Sequence, residues 1–171
     1  PKDYILMTMH RPHNVDNEKG LKDIIEIIRN AAKHKNVVFA IHPRTSNNMK
    51  KFGLYEELEN IEGLTLLGPQ GYLQFLKLMD NAALIITDSG GIQEETTYLK
   101  VPCMTFRDTT ERPVTVDLGT NFLMKDLNPE TVRIQMEDIL NGNAKQGTIP
   151  PLWDGKASVR IADILVEKLS K

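Results

Sequence analysis

The chain has 171 residues, of which 40% are hydrophobic and 26% are charged, and its formal net charge is −2. This length suits one domain with a sizeable core, and the near-neutral charge favours neither a nucleic acid nor a membrane as partner. The single cysteine, Cys103, excludes an internal disulfide framework and a multi-cysteine metal site. No apolar stretch approaches the roughly 20 residues of a transmembrane helix and no signal-peptide pattern is present, so we expect a cytoplasmic protein.

Short apolar runs alternate along the chain with segments of helical periodicity. In the segment 18–33, Leu21, Ile24, Ile25 and Ile28 fall on one apolar stripe. Six apolar runs predict buried strands, over 4–9, 37–41, 64–67, 84–87, 102–106 and 121–124. Helices are predicted over 18–33, 44–52, 72–80, 91–99, 129–140 and 157–170, with polar loops over 10–17 and 142–155.

This alternation predicts an α/β fold, a Rossmann-like doubly wound parallel sheet covered by helices on both faces. In the helix over 72–80 we expect Tyr72 and Leu73 to point inward, and the last helix places Leu165 and Leu169 on one face. Ligands of such sheets bind at the carboxyl ends of the strands. The polar stretches at those ends are 10–11, 42–44, 68–70, 88–91 and 107–112.

The segment 84–95 (LIITDSGGIQEE) carries the strongest functional signal. An apolar strand runs into a polar turn, Ser89-Gly90-Gly91, and a helix is predicted to follow. A helix start presents free backbone N–H groups and the positive end of its dipole, and glycines let an anion approach the backbone. Glu95 follows one turn later, where it can accept hydrogen bonds from sugar hydroxyls. The pattern predicts a nucleotide or nucleotide-sugar site; a simple strand-to-helix turn capped by the serine is the alternative.

The loop 107–113 (RDTTERP) follows the fifth predicted strand and holds two arginines. An arginine at this rim can face a diphosphate or a developing negative charge, because its guanidinium fork matches phosphate oxygens. Arg112, held before a proline, is the better candidate, and Asp108 or Glu111 can orient it. A solvated, charge-balanced loop is the alternative interpretation.

His10 and Arg11 follow the first predicted strand and leave the sheet toward the same rim. Both side chains can donate hydrogen bonds to phosphate, and His10 can also act as a general acid near neutral pH. A satisfied structural histidine is the alternative. His10, His13 and His42 lack a metal-ligand spacing, so no metal is expected.

The turn 68–71 leads into the helix over 72–80 and offers contacts for a base. Gln70 could read the edge of a base and Phe75 could stack on it, although an exposed amide and a core aromatic fit slightly better on composition alone. The chain lacks the glycine-rich fingerprints of a nicotinamide dinucleotide site and of a P-loop. It also lacks a pair of rim carboxylates placed to work as acid and base on one carbon.

Together, the segments 87–95 (TDSGGIQEE) and 107–113 (RDTTERP) closely resemble the non-hydrolysing UDP-N-acetylglucosamine 2-epimerases. The residues 10–11 (HR), 68–70 (GPQ) and 154–156 (DGK) fit the same pattern in the same order. The resemblance implies one half of a GT-B architecture, in which residues 1–171 form the C-terminal, UDP-binding domain and the N-terminal domain is absent from this chain. The start of the sequence, without an initiator methionine, likewise indicates a piece of a longer protein.

The resemblance implies an enzyme that interconverts UDP-GlcNAc and UDP-ManNAc. In this family the C2 proton is removed and UDP is expelled to give 2-acetamidoglucal, and UDP then returns with the opposite face protonated. No cofactor or metal is needed. The acid/base carboxylates belong to the N-terminal half, so this chain alone is expected to bind UDP weakly and to be inactive. The implied partners are a UDP-sugar, the missing N-terminal domain and a second subunit of a homodimer.

The resemblance also assigns roles to single residues. His10 and Arg112 are the implied catalytic residues, the first assisting the loss of UDP and the second supporting the reacting end. Ser89, Gly90 and Gly91 would hold the diphosphate, and Glu95 would hold the ribose. Gln70 and Phe75 would contact the uracil. Arg11 and His42 match a regulatory UDP-GlcNAc site of bacterial members, but the residues after His42, 43–45 (PRT), depart from the usual form of that site. The implied substrate-binding residues are Arg11, Gln70, Phe75, Ser89, Gly90, Gly91 and Glu95.

Three other functions fit these residues. A GT-B glycosyltransferase would use the same scaffold for transfer to an acceptor. A hydrolysing epimerase would release free ManNAc. A non-catalytic nucleotide-sugar sensor would bind the same ligand without turnover.

Overall fold

The computed structural model describes residues 2–170 and contains a six-stranded sheet with helices on both faces. The strands are β1 Tyr4–Thr8, β2 Asn36–Ala40, β3 Leu64–Leu67, β4 Leu84–Thr87, β5 Cys103–Phe106 and β6 Asn121–Met124. The helices are α1 Pro12–Val15, α2 Glu18–Ala32, α3 Pro43–Lys51, α4 Tyr55–Glu59, α5 Tyr72–Asp80, α6 Ile92–Leu99, α7 Pro113–Asp117, α8 Pro129–Asp138 and α9 Ala157–Leu169. A π-helical turn, Ile139–Asn143, follows α8.

All strand pairs are parallel, in the spatial order β3-β2-β1-β4-β5-β6. The order reverses between β1 and β4, because β2 and β3 follow outward from β1 on one side of the sheet and β5 and β6 follow outward from β4 on the other. Thr8 and Thr87 pair at the carboxyl ends of these two strands. The predicted doubly wound, Rossmann-like fold is confirmed, and the reversal creates the crevice in which such sheets bind ligands.

Two apolar clusters cover the two faces of the sheet. Ile5 and Met7 of β1 belong to the larger cluster, together with the predicted apolar stripe of α2. Leu6 belongs to the smaller cluster, which also contains Met79 of α5. Side chains alternate between the faces of a strand, so the central strands are buried on both sides. The carboxyl ends of β1 and β4 are therefore held by packing from above and below.

The short helices α1, α4 and α7 were not predicted from the sequence. The predicted polar loop 10–17 contains α1, in which Pro12 stands at the first position, where its missing N–H costs nothing. Asn14 and Val15 of α1 are buried, so the segment packs against the domain. Helices α4 and α7 have only five residues each, which is too short for an apolar period to be visible.

Two predicted apolar faces are not covered. Tyr72 and Leu73 are 65% and 73% exposed, so the expectation that they point inward is wrong. Both lie in the first turn of α5, which begins at the carboxyl edge of the sheet, beyond the strand that it would cover. None of the residues of α9 is buried.

Within residues 2–170, no helix has the length and apolar character that crossing a membrane requires.

Candidate functional site

Asp88 lies at the reversal of strand order and joins the ends of β1 and β4. Its carboxylate is fully buried and accepts hydrogen bonds from the backbone N–H groups of His10 (3.0 Å) and Arg11 (2.8 Å). The Asn14 side-chain amide donates a further bond at 3.0 Å. One carboxylate thereby fixes the path of the chain from β1 into α1.

The charge of Asp88 is stabilised by these donors. Burial raises the pKa of the carboxyl, but hydrogen bonds from the His10 and Asn14 side chains and from the Arg11 backbone outweigh it, so the net pKa is lowered. The sequence analysis gave Asp88 no role. The sequence shows only that a carboxylate follows a buried strand. That this strand lies at the reversal of strand order is known only from the structure.

His10 has one ring nitrogen committed to Asp88. Nδ1 lies 2.9 Å from Asp88 Oδ1, so Nδ1 carries the proton and the other nitrogen, Nε2, remains without a partner among the residues that the structure describes. The His10 side chain is 38% exposed, which keeps Nε2 accessible to a ligand. The His42 ring lies 5.3 Å away, and burial, reinforced by the charge of His10, lowers the pKa of His42.

Arg11 reaches across the same crevice. Its Nε donates to the backbone carbonyl of Asp88 at 2.8 Å, which places the guanidinium beside the turn that follows β4. The structure therefore brings His10 and Arg11 together with the predicted anion turn, Ser89-Gly90-Gly91. The sequence predicted this for strands that end at one rim.

The turn after β4 presents backbone donors. Ser89 does not cap α6, because the residue before the helix is Gly91, and the Ser89 N–H donates to Thr87 Oγ1 at 3.0 Å. The N–H groups of Gly90 and Gly91 make no hydrogen bond within residues 2–170. Both N–H groups stand at the positive end of α6, so this turn can accept an anion.

Two arginines lie over this turn. A Cβ built on Gly90 would stand 2.6 Å from Arg107 Nη1 and 3.5 Å from Arg112 Nη1, so the glycine is needed for their close approach. Glu111 holds both guanidiniums, at 3.0 Å from Arg107 and 2.9 Å from Arg112. The predicted orientation of Arg112 by Glu111 is confirmed, whereas Arg107 proves to be a second arginine of the site.

Arg112 is further held by α6. Its Nε lies 2.7 Å from Glu94 Oε2, but the N–H vector does not aim at that oxygen, and Nε is the one buried side-chain nitrogen or oxygen of residues 2–170 without a hydrogen bond. Contact with Glu94, opposed by burial and reinforced by Glu111, raises the pKa of Arg112. The guanidinium stays charged and is held between Glu94 and Glu111.

Glu95 lines a cavity of about 390 Å³ next to this turn. Burial raises the pKa of Glu95, the Tyr72 hydroxyl opposes the shift and the charge of Glu94 adds to it. Apolar and aromatic side chains make up most of the remaining wall. They are Tyr72, Leu76, Tyr98, Leu99 and Trp153.

The two predicted uracil contacts lie elsewhere on α5 and its preceding turn. Gln70 is exposed and its amide donates to the Gly68 carbonyl at 2.9 Å. Phe75 is partly buried and packs against the smaller apolar cluster. Neither residue lines the cavity at Glu95, and their roles stay predictions. In the described part of the chain, no three His, Cys, Asp or Glu side chains are grouped to hold a metal ion.

Comparison with known proteins decides the family. A family model described as UDP-N-acetylglucosamine 2-epimerase matches residues 1–166. The chain belongs to this family. The matched region contains the anion turn, both arginines and the His10–Asp88 contact.

Individual relatives agree with this assignment. The chain is 46% identical over 165 residues to a UDP-N-acetylglucosamine 2-epimerase of Methanocaldococcus jannaschii, a match that covers 95% of this chain and 44% of the relative. A crystal structure of the enzyme from that organism, in complex with UDP-GlcNAc and UDP, superposes with a TM-score of 0.84 at 45% identity and covers 97% of this chain and 46% of that one.

A more distant structure supports the fold alone. An Escherichia coli ADP-heptose heptosyltransferase II matches with a TM-score of 0.61 at 12% identity, over 83% of this chain and 47% of that one. The chain spans about half the length of the proteins that it matches.

Proposed function

We propose that this chain is the UDP-binding half of a UDP-N-acetylglucosamine 2-epimerase. The observation that carries the proposal is the turn at the reversal of strand order, where the N–H groups of Gly90 and Gly91 are unpaired within residues 2–170 and the guanidiniums of Arg107 and Arg112 lie close to Gly90. Membership of the epimerase family and the bound UDP-GlcNAc and UDP of the Methanocaldococcus relative support uridine diphosphate as the anion.

The diphosphate would lie beside the turn, where the arginines approach Gly90. Backbone N–H groups at a helix start bind phosphate oxygens, and the partly exposed guanidinium of Arg112 can donate to a further oxygen. Ser89 and Arg11 flank the same place. These contacts concentrate positive charge where a diphosphate leaving group carries its negative charge, and that charge grows as the glycosidic bond breaks.

The nucleoside would extend into the cavity at Glu95. Its volume of about 390 Å³ and its apolar and aromatic walls suit part of a small ligand. The Glu95 carboxylate can accept hydrogen bonds from the ribose hydroxyls. Gln70, in the turn before α5, and Phe75, within α5, lie outside this cavity and remain the proposed contacts of the uracil.

The proposed reaction breaks the bond between C1 of the sugar and a UDP oxygen as a proton leaves C2, which gives UDP and 2-acetamidoglucal. Return of UDP to C1 and of a proton to the other face of C2 completes the epimerisation. The sequence of steps is redox-neutral, so the proposal requires no redox cofactor. His10, oriented by Asp88, would place Nε2 against the departing phosphate, where its protonated form donates to the developing charge.

The whole enzyme would need more than this chain. We assign the acid/base carboxylates to an N-terminal domain, and we expect the complete protein to be a homodimer. The isolated chain should therefore bind UDP without turning over UDP-GlcNAc.

Calorimetry and turnover test the proposal separately. The 171-residue chain should bind UDP more tightly than uridine, and equal affinity would contradict a diphosphate site at Gly90 and Gly91. The full-length enzyme in D₂O should convert UDP-GlcNAc to UDP-ManNAc with deuterium at C2. Release of free ManNAc instead would indicate a hydrolysing enzyme, and an absolute requirement for a sugar acceptor would indicate a glycosyltransferase.

A further inference from the structure

Gln93 is a buried amide in the first turn of α6 that connects two loops of the site. It is 0% exposed, so its polar atoms must be satisfied within the protein. Its Nε2 donates to the Gly90 carbonyl at 3.2 Å. Its Oε1 accepts from Thr110 Oγ1 at 2.8 Å and from Asn121 Nδ2 at 2.9 Å.

The amide can stand in only one orientation. The Gly90 carbonyl is an acceptor, so Nε2 must face it and Oε1 must face Thr110 and Asn121. Asn121 is fixed in turn, because only its Nδ2 can donate to Gln93 Oε1, and its Oδ1 then accepts from Thr105 Oγ1 on β5 at 2.7 Å. A single side chain of α6 is thus tied to β6, through it to β5, and to both loops over the crevice.

This connection reaches Arg112 through Thr110. The Thr110 hydroxyl donates to Gln93 and accepts the backbone N–H of Arg112 at 3.0 Å. The Arg112 carbonyl then accepts from Thr115 Oγ1 at 2.8 Å, at the start of α7. The backbone on both sides of the arginine is therefore set by side-chain hydrogen bonds.

We propose that Gln93 is a positioning residue that sets the distance between the anion turn at Gly90 and the arginine loop at Thr110–Arg112. The inference rests on the proposed function, because it concerns how the two sides of the diphosphate site are held together. Without the amide, the two loops lose their only common side-chain hydrogen-bond partner among residues 2–170. Donors aimed at the diphosphate would then be free to separate.

The variant Gln93→Met tests this role, since it keeps the length of the side chain and removes both polar functions. We expect the affinity for UDP to fall about tenfold, whereas the affinity for uridine, which lacks the diphosphate, stays within about twofold. The matched control is Thr97→Val on the same helix. Thr97 is also buried, but its hydroxyl donates only to the Gln93 backbone carbonyl at 2.8 Å, so UDP affinity should not change.

A double-mutant cycle tests the route through Thr110. Thr110→Val should weaken UDP binding by a similar factor, and the double variant Gln93→Met/Thr110→Val should be no weaker than the worse single variant. Additive losses, or an equal loss of uridine and UDP affinity in Gln93→Met, would overturn the proposal and leave Gln93 as a support of the fold only.

Amide exchange of the ligand-free chain separates this proposal from the proposed function. Gln93→Met should speed exchange of the Arg112 N–H by about tenfold relative to the wild type and to Thr97→Val. Unchanged exchange would overturn the positioning role, whether or not UDP binds. Faster exchange in a chain that does not bind UDP would uphold the loop connection and reject the uridine diphosphate site.

Discussion

The Asp88 carboxylate and the His10 imidazole meet across the reversal of strand order, with Oδ1 2.9 Å from Nδ1. The same carboxylate accepts the backbone N–H groups of His10 and Arg11. A buried charge with this many donors both supports the fold and aims a histidine at the crevice. Changes at Asp88 should therefore be visible in stability measurements without any ligand.

Asp88→Asn should lower the free energy of unfolding by about 3 kcal/mol. The new amide would turn an N–H₂ group toward backbone donors, leaving buried N–H groups unpaired. Urea unfolding measures the change. Asp163→Asn, at an exposed position of α9, should stay within about 0.5 kcal/mol of the wild type. Equal stability of both variants would contradict the role given to the Asp88 hydrogen bonds.

Acid should destabilise the wild type more steeply than Asp88→Asn. The pKa of Asp88 in the folded state lies below its unfolded value of about 3.9. Its ionisation therefore adds stability that is present above the unfolded pKa and is lost as the pH falls through the folded pKa. Urea midpoints collected below about pH 4 should converge for the two proteins; parallel curves would exclude Asp88 as the titrating group.

Gly90→Ala should weaken UDP binding about tenfold and leave stability nearly unchanged. The added methyl would stand 2.6 Å from Arg107 Nη1, the end of a flexible side chain that can swing aside. The substitution should therefore lower the affinity for UDP and leave the free energy of unfolding nearly unchanged. Calorimetry with UDP and with uridine on the same variant gives the comparison, and a matching loss for uridine would show that the arginines do not act on the diphosphate.

Uridine affinity should fall on acidification as Glu95 becomes protonated. Burial raises the pKa of Glu95, so the midpoint should lie above the ordinary glutamate value of about 4.3. Uridine carries no phosphate, which removes the titration of UDP itself from the measurement. Glu95→Gln should bind more weakly and without this pH dependence; a persistent pH profile in that variant would assign the effect to another group.

Cys103 should not react with a thiol reagent in the folded chain. Burial raises the pKa of its thiol to about 11, so almost no thiolate is present at pH 8 and the sulfur is out of reach. Reaction with an aromatic disulfide should appear only on unfolding in urea. Rapid labelling under native conditions would contradict the packing of β5.

The sequence predicted the elements of the fold because its strands are short apolar runs and its longer helices carry a clear stripe. It also predicted the anion turn and Arg112, since glycines after a strand and an arginine before a proline are local patterns. Asp88 and Gln93 were not assigned a role. Their importance depends on partners 78 and 17 residues distant, His10 and Thr110, which no local pattern reveals.

The solvent exposure of a helix side chain also could not be predicted from the apolar period of the sequence. An apolar period states which residues share a side of a helix, but not whether another element lies against that side. Tyr72 therefore proved to be 65% exposed, beside the cavity at Glu95, although its spacing resembles that of a core residue.

Helix α9 has thirteen residues and none of them is buried. A peptide of this length is only marginally helical by itself in water, since little packing energy offsets the ordering of its backbone. In this chain α9 should consequently melt on its own, at lower temperature than the sheet. Heating would then show a gradual loss of circular dichroism signal ahead of the cooperative transition.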